Sequence, residues 1–179
     1  GVGAYGDLGN FMVMPTTGSL KTWYGETDHP GTGYLSAYSK RTEIAQAGYY
    51  AVTLEDYHVR AEMTAAPHSG ILRFTFPENQ QSRIQIDLAR RIGGTSLHQP
   101  VKVVGDHTIE GEIECTRHGG GFRGGTVDYM LYYHAEFSRP LKDFGVWSAA
   151  IPAGRNIWSQ PEFASACRMA AILPGCREK

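Results

Sequence analysis

The sequence predicts an all-β fold, an antiparallel β-sandwich. Apolar and polar residues alternate with period two through one segment after another. Turn-forming residues separate these segments at short intervals. The composition, with 22 Gly and 10 Tyr, lacks the long Ala, Leu, Glu and Lys runs that helices need. About ten strands joined by connections too short for crossovers must pair in large part antiparallel. A sandwich satisfies that pattern; alternating βα units do not.

In chain order, an apolar strand over residues 11–14 runs into the turn Pro15-Thr16-Thr17-Gly18. Further strands are expected at 35–38 and 49–54, the second closed by Glu55-Asp56. Over residues 57–64 the apolar set Tyr57, Val59, Ala61 and Met63 alternates with His58, Arg60, Glu62 and Thr64, which puts one face on a core and one in water. Leu72, Phe74 and Phe76 alternate with Arg73 and Thr75, and Pro77-Glu78-Asn79 ends that run. Ile84, Ile86 and Leu88 alternate with Gln85 and Asp87. A strand at 101–104 leads through Val104-Gly105-Asp106 into Ile109, Gly111, Ile113 and Cys115, which alternate with Glu110, Glu112 and Glu114. The longest run, residues 127–137, sets Tyr129, Leu131, Tyr133 and Ala135 against a set that includes Asp128, His134 and Glu136. A last strand is expected at 145–151. The tail reads differently: Ser159-Gln160-Pro161-Glu162 is a helix start, residues 163–173 make a short helix near the C-terminus, and Pro174-Gly175 stops it. No repeat or linker divides residues 1–179, which read as a single domain.

A chain of 179 residues buries roughly 70 % of the surface its unfolded form exposes, enough for one core without staples. The 17 Lys and Arg nearly balance the 18 Asp and Glu, which argues against a nucleic-acid partner or an anionic membrane. No apolar run reaches the roughly 18 residues of a spanning helix. Cys115 occupies an apolar strand position and reads as a small buried residue. Cys167 and Cys176 either close a short disulfide loop or remain free thiols, and the count does not fix the compartment. The glycine-punctuated loop over residues 1–9 opens the chain without flanking structure, so the sequence reads as a piece of a larger protein.

Self-contained chemistry is hard to find. The run Gly119-Gly120-Gly121-Phe122-Arg123-Gly124-Gly125 lacks the Lys-Ser/Thr of a phosphate loop. It reads as a hairpin connection, or as a place where backbone approaches a ligand and Phe122 caps a sugar ring. In the opening loop Tyr5 can stack and Asp7 can accept from hydroxyls; local turn bonding accounts for them equally. The seven histidines, His29, His58, His68, His98, His107, His118 and His134, show no metal-ligand spacing. His29 sits in the loop Asp28-His29-Pro30 with no partner evident. Glu110, Glu112 and Glu114 share one strand face and read as a wet outer surface rather than a catalytic pair. No G-x-S-x-G elbow is present. Neither a catalytic residue nor a metal ligand is expected in this chain.

Several segments together resemble the N-terminal part of the glycoside hydrolase family 92 α-mannosidases. They are Gly6-Asp7-Leu8-Gly9-Asn10-Phe11-Met12-Val13-Met14-Pro15 through Gly18, then Gly48-Tyr49-Tyr50-Ala51-Val52-Thr53-Leu54 with Val59-Arg60-Ala61-Glu62-Met63-Thr64-Ala65. Leu72-Arg73-Phe74-Thr75-Phe76-Pro77, Ile84-Gln85-Ile86-Asp87-Leu88 and Ala135-Glu136-Phe137-Ser138-Arg139-Pro140 follow in order, so the likeness covers roughly residues 1–150. The resemblance implies a galactose-mutarotase-like supersandwich that packs on a C-terminal (α/α)6 domain in a bacterial, secreted or periplasmic enzyme. It implies removal of terminal α-mannose from mannose-containing glycans with inversion, dependent on Ca²⁺. The acid, the base and the calcium ligands would lie in the helical domain, and this chain alone would be inactive. The opening loop would lend Tyr5 and Asp7 to the sugar pocket, with Phe122, in place of a more usual Trp, near the domain interface. The sequence departs from the family in lacking the upstream His-x-x-Leu-Ser segment and the final strands, and from position 153 onward it fits poorly. The rival reading is a carbohydrate-binding β-sandwich without hydrolysis, since aromatic-rich sandwiches stack on sugars.

Overall fold

A computed structural model describes residues 10, 12–26, 28–29, 31–78, 81–88, 96–115, 129–147, 157–158 and 168–172. Every regular element among them is a strand. In order these are β1 (Met12–Thr17), β2 (Ile44–Gln46), β3 (Tyr49–Leu54), β4 (Val59–Ala66), β5 (Ser69–Thr75), β6 (Ser82–Asp87) and β7 (Ser96–His98). There follow β8 (Val101–Val104), β9 (Thr108–Cys115), β10 (Tyr129–Glu136), β11 (Asp143–Trp147), β12 (Ile157–Trp158) and β13 (Arg168–Ile172). The fold is all-β and its sheets are antiparallel, as the alternation requires. Two compact units contain the strands, one within Pro15–Arg83, the other within Ile84–Pro174 and the segment up to Met14.

The first unit holds a meander of order β2-β3-β4-β5. Two-residue turns make it: Gln46 pairs with Tyr49 around Gly48, whose φ of 77° suits glycine, and Ala66 pairs with Ser69. The period-two pattern of β4 becomes burial directly, with Tyr57, Val59 and Ala61 in the core and His58 and Thr64 exposed. The polar face is stitched across the sheet. Glu62 accepts from Arg73 Nε at 2.7 Å and from Tyr49 Oη at 2.7 Å, and Arg60 Nη1 donates to Thr42 O at 2.6 Å. Under the sheet the Tyr57 hydroxyl donates to Tyr34 O at 3.0 Å.

Residues 35–38 are not the strand the sequence suggested. Only an isolated bridge joins Tyr38 to Leu54. The segment is tied instead to the β3–β4 turn: Glu55 N donates to Ala37 O at 2.9 Å, Ala37 N to Asp56 Oδ2 at 2.7 Å, and Asp56 N to Ser36 Oγ at 3.1 Å. The turn's backbone and the Asp56 side chain have taken the Ala37 groups that a ladder would have used.

In the second unit β9 pairs with β10, β8 and β7, its full length matched by β10 from Tyr129↔Cys115 to Glu136↔Thr108. Ile109, Ile113 and Cys115 are fully buried, and Glu110 and Glu114 are exposed, as the pattern predicts. Gly111 has a packing reason: a Cβ there would sit 2.5 Å from Pro100 O and collide with the Tyr133 ring opposite.

The remaining sheet has the order β1-β6-β13-β11-β12. On β6 the polar Ser82, Arg83, Gln85 and Asp87 are as buried as Ile84 and Ile86, so here alternation marks two covered faces. β13 corrects the helix expected over residues 163–173. Arg168–Ile172 is a strand, paired with β11 from Asp143↔Ile172 to Trp147↔Arg168. A five-residue ladder outweighs the local helix preference of Met169, Ala170 and Ala171. Residues 159–167 lie outside the described residues. Among the described residues no helix is long and apolar enough to cross a membrane.

Candidate functional site

The chain between β1 and β2 builds a cavity of 230 Å³ lined by Tyr24, Glu26, His29, Thr32, Leu35 and Ser36 among others. Its frame is a doubled-back loop. Tyr34 N donates to Trp23 O at 3.0 Å and Leu35 N to Tyr24 O at 2.9 Å. Thr32 is the tie-point: its hydroxyl donates to His29 O at 2.8 Å and accepts from Glu26 N at 3.0 Å, while its carbonyl accepts the Trp23 indole N–H at 2.8 Å. The two arms press so closely that a Cβ on Gly25 would lie 2.7 Å from Gly33 N, and one on Gly33 would overlap the Gly25 backbone. Only glycine fits that crossing.

Two large aromatics stand at the surface of this frame. Trp23 is 44% exposed and Tyr24 37%, with ring centroids 5.8 Å apart and planes inclined at 55°. Beside them Glu26 Oε2 lies 2.8 Å from His29 Nδ1. That pair answers the sequence question of His29: its partner lies three residues earlier, brought close by the turn. Nothing in the spacing of Glu26 and His29 announces the pair without the loop geometry. The exposed aromatic pair was equally absent from the sequence reading, although the adjacent Trp23-Tyr24 with glycines on either side of the loop was a usable signal.

Two carboxylates elsewhere are held towards the anion, Glu62 and Glu43. Hydrogen bonds from Arg73, then from Tyr49, pull Glu62 down to about 2 from an ordinary 4.5. Bonds from Lys40 and then Tyr50 lower Glu43. On the exposed face of the β9–β10 pair, His134 lies with Nε2 3.3 Å from Glu136 and Nδ1 3.1 Å from Glu110; Glu136 first, then Glu110, raise its pKa. Of the three acids on that strand face, Glu110 and Glu114 are exposed and Glu112 is half-buried. Among the described residues no group of three or more His, Cys, Asp or Glu gathers as metal ligands would. Tyr5, Asp7 and Phe122, the expected substrate contacts, lie outside the described residues, as do Cys167 and Cys176.

Most of the chain has a clear relative. The glycosyl hydrolase family 92 N-terminal domain matches residues 1–168. This chain belongs to that family. The match runs past position 153, where the sequence resemblance had thinned. Among solved structures, the family 92 domain is similar to the GH92 α-mannosidase BT3965 from Bacteroides thetaiotaomicron, with 31% identity and a TM-score of 0.80. That likeness covers 94% of this chain and 22% of the mannosidase, which has also been solved in complex with mannoimidazole. The GH92 glycosyl hydrolase ccman5 is 25% identical with a TM-score of 0.65, over 92% of this chain and 21% of that one. The inverting mannosidase BT2199 from the same Bacteroides species, at 18% identity and a TM-score of 0.65 over 90% of this chain and 19% of that one, shares the fold. The family 92 domain therefore spans about a fifth of the length of these enzymes. No curated protein matches it.

Proposed function

We propose that this chain is the substrate-framing N-terminal domain of a calcium-dependent, inverting exo-α-mannosidase of bacterial, secreted or periplasmic origin. The observation that carries the reading is the 31% identity to the α-mannosidase BT3965 across 94% of this chain but only 22% of that enzyme. Inverting glycoside hydrolysis needs one carboxyl kept protonated as the acid and a second far enough away to admit a water. Glu43 and Glu62 are displaced the opposite way, towards the ionised form, so in this reading they serve the sheet and not proton transfer. Acid, base and calcium ligands belong in this reading to a C-terminal helical domain. The described carboxylates and histidines do not gather into a set that fits calcium.

This domain's part is to wall the pocket. In the reading Tyr5 stacks on the leaving-sugar side, Asp7 accepts from a hydroxyl, and Phe122 caps a sugar ring near the domain interface. Such contacts orient the substrate and exclude water, which lowers the barrier without any proton changing hands. Tyr5→Ala, Asp7→Asn and Phe122→Ala, made singly in the longer enzyme, are expected to cut kcat/KM for an α-mannobioside at least about tenfold, the loss of one aligned contact. Unchanged kinetics in all three would contradict the assignment.

A further inference from the structure

We infer that the Trp23–Tyr24 loop is itself a carbohydrate site, which takes a single pyranose ring. Its specificity for α-mannosides rests on the proposed function; the site itself rests on the loop.

Large aromatic side chains left in water forfeit their burial, and loops that display them are ordinarily free to fold them away. Here the display is enforced. The Trp23 indole N–H is fixed to Thr32 O, Thr32 Oγ1 holds both Glu26 N and His29 O, and the Gly25–Gly33 crossing excludes any side chain that would loosen the frame. A rigid aromatic surface meets the apolar C–H face of a pyranose without the ordering cost of a mobile one. Tyr24 lines the cavity, so an aromatic surface and a recess adjoin. Hydroxyl recognition needs acceptors and donors at the rim, and Glu26 and His29 supply a carboxylate and an imidazole there, both exposed. At 230 Å³ the cavity falls below the roughly 300 Å³ at the small end of ligand sites, which fits one ring and not an oligosaccharide. A purely apolar docking surface would not place a carboxylate and an imidazole at the rim; a sugar site requires polar groups beside the ring.

The site is tested by titrating methyl α-mannopyranoside into the full chain and following the Trp23 indole N–H in a ¹H–¹⁵N spectrum, the resonance being identified by Trp23→Phe. The expected result is a saturable shift that glycerol does not produce. It should weaken about tenfold in Tyr24→Ala, the loss of one aromatic contact, and persist in Tyr24→Phe. Glu26→Ala, which leaves the Thr32 bond to its backbone intact, should weaken binding too, and serves if Tyr24→Ala does not fold. A shift that glycerol reproduces, one unchanged in Tyr24→Ala or Glu26→Ala, or none at all would overturn the inference. The readout needs no hydrolysis. Failure of the mannosidase reading would appear as absent turnover by the longer enzyme, and failure of the site as absent binding here.

Discussion

At the scale of single residues, the first unit depends on a few polar side chains whose partners lie far away in sequence. Burial first, and Asp56 second, push the Tyr57 hydroxyl up to about 12, so it stays a donor to Tyr34 O at any ordinary pH. Tyr57→Phe should lower unfolding free energy by on the order of 1–2 kcal/mol in urea denaturation, the worth of a buried hydrogen bond; an unchanged midpoint would show that bond to be idle. Glu62 gives a pH signature. Its folded pKa, about 2, lies below the ordinary 4.5, so its contribution is complete above the ordinary value and is lost as pH falls towards 2. Glu62→Gln should flatten the decline of the urea midpoint across that window, and an equally steep decline in the variant would refute the linkage. The facing of Glu62 was readable from period two, but its partners were not. Register decides them: β5 sets Arg73 opposite Glu62, and sequence spacing does not fix register. His29 is the same lesson in a loop.

At the scale of elements, alternation located β4, β9 and β10 because each has one face turned to a core and a turn at its end. It misjudged the segments that depend on neighbours. Residues 35–38 have strand-like composition, yet the 55–56 turn takes their backbone groups. Arg168–Ile172 has helix-like composition, yet β11 supplies a ladder. β6 reads as half-wet and is covered on both faces. Gly111 counted as a neutral place in the β9 pattern and is a packing requirement. Gly111→Ala should destabilise by about 1–3 kcal/mol, the range for forcing atoms into a filled space, seen as a lowered thermal midpoint; wild-type stability would show that Pro100 and Tyr133 can move aside.

At the scale of the whole molecule, membership of family 92 was legible because short motifs kept their order over most of the chain, and that order survives where single motifs are weak. The Trp23–Tyr24 recess was not legible, since it exists only when two arms of a loop cross at Gly25 and Gly33. The proposed function is a division of labour in which these strands hold and shape and the bond is broken elsewhere. The most direct measurement is turnover of an aryl α-mannoside by the purified 179-residue chain beside the longer enzyme under identical calcium-containing conditions. The account predicts hydrolysis by the longer enzyme and none by the chain; release of mannose by the chain on its own would contradict it.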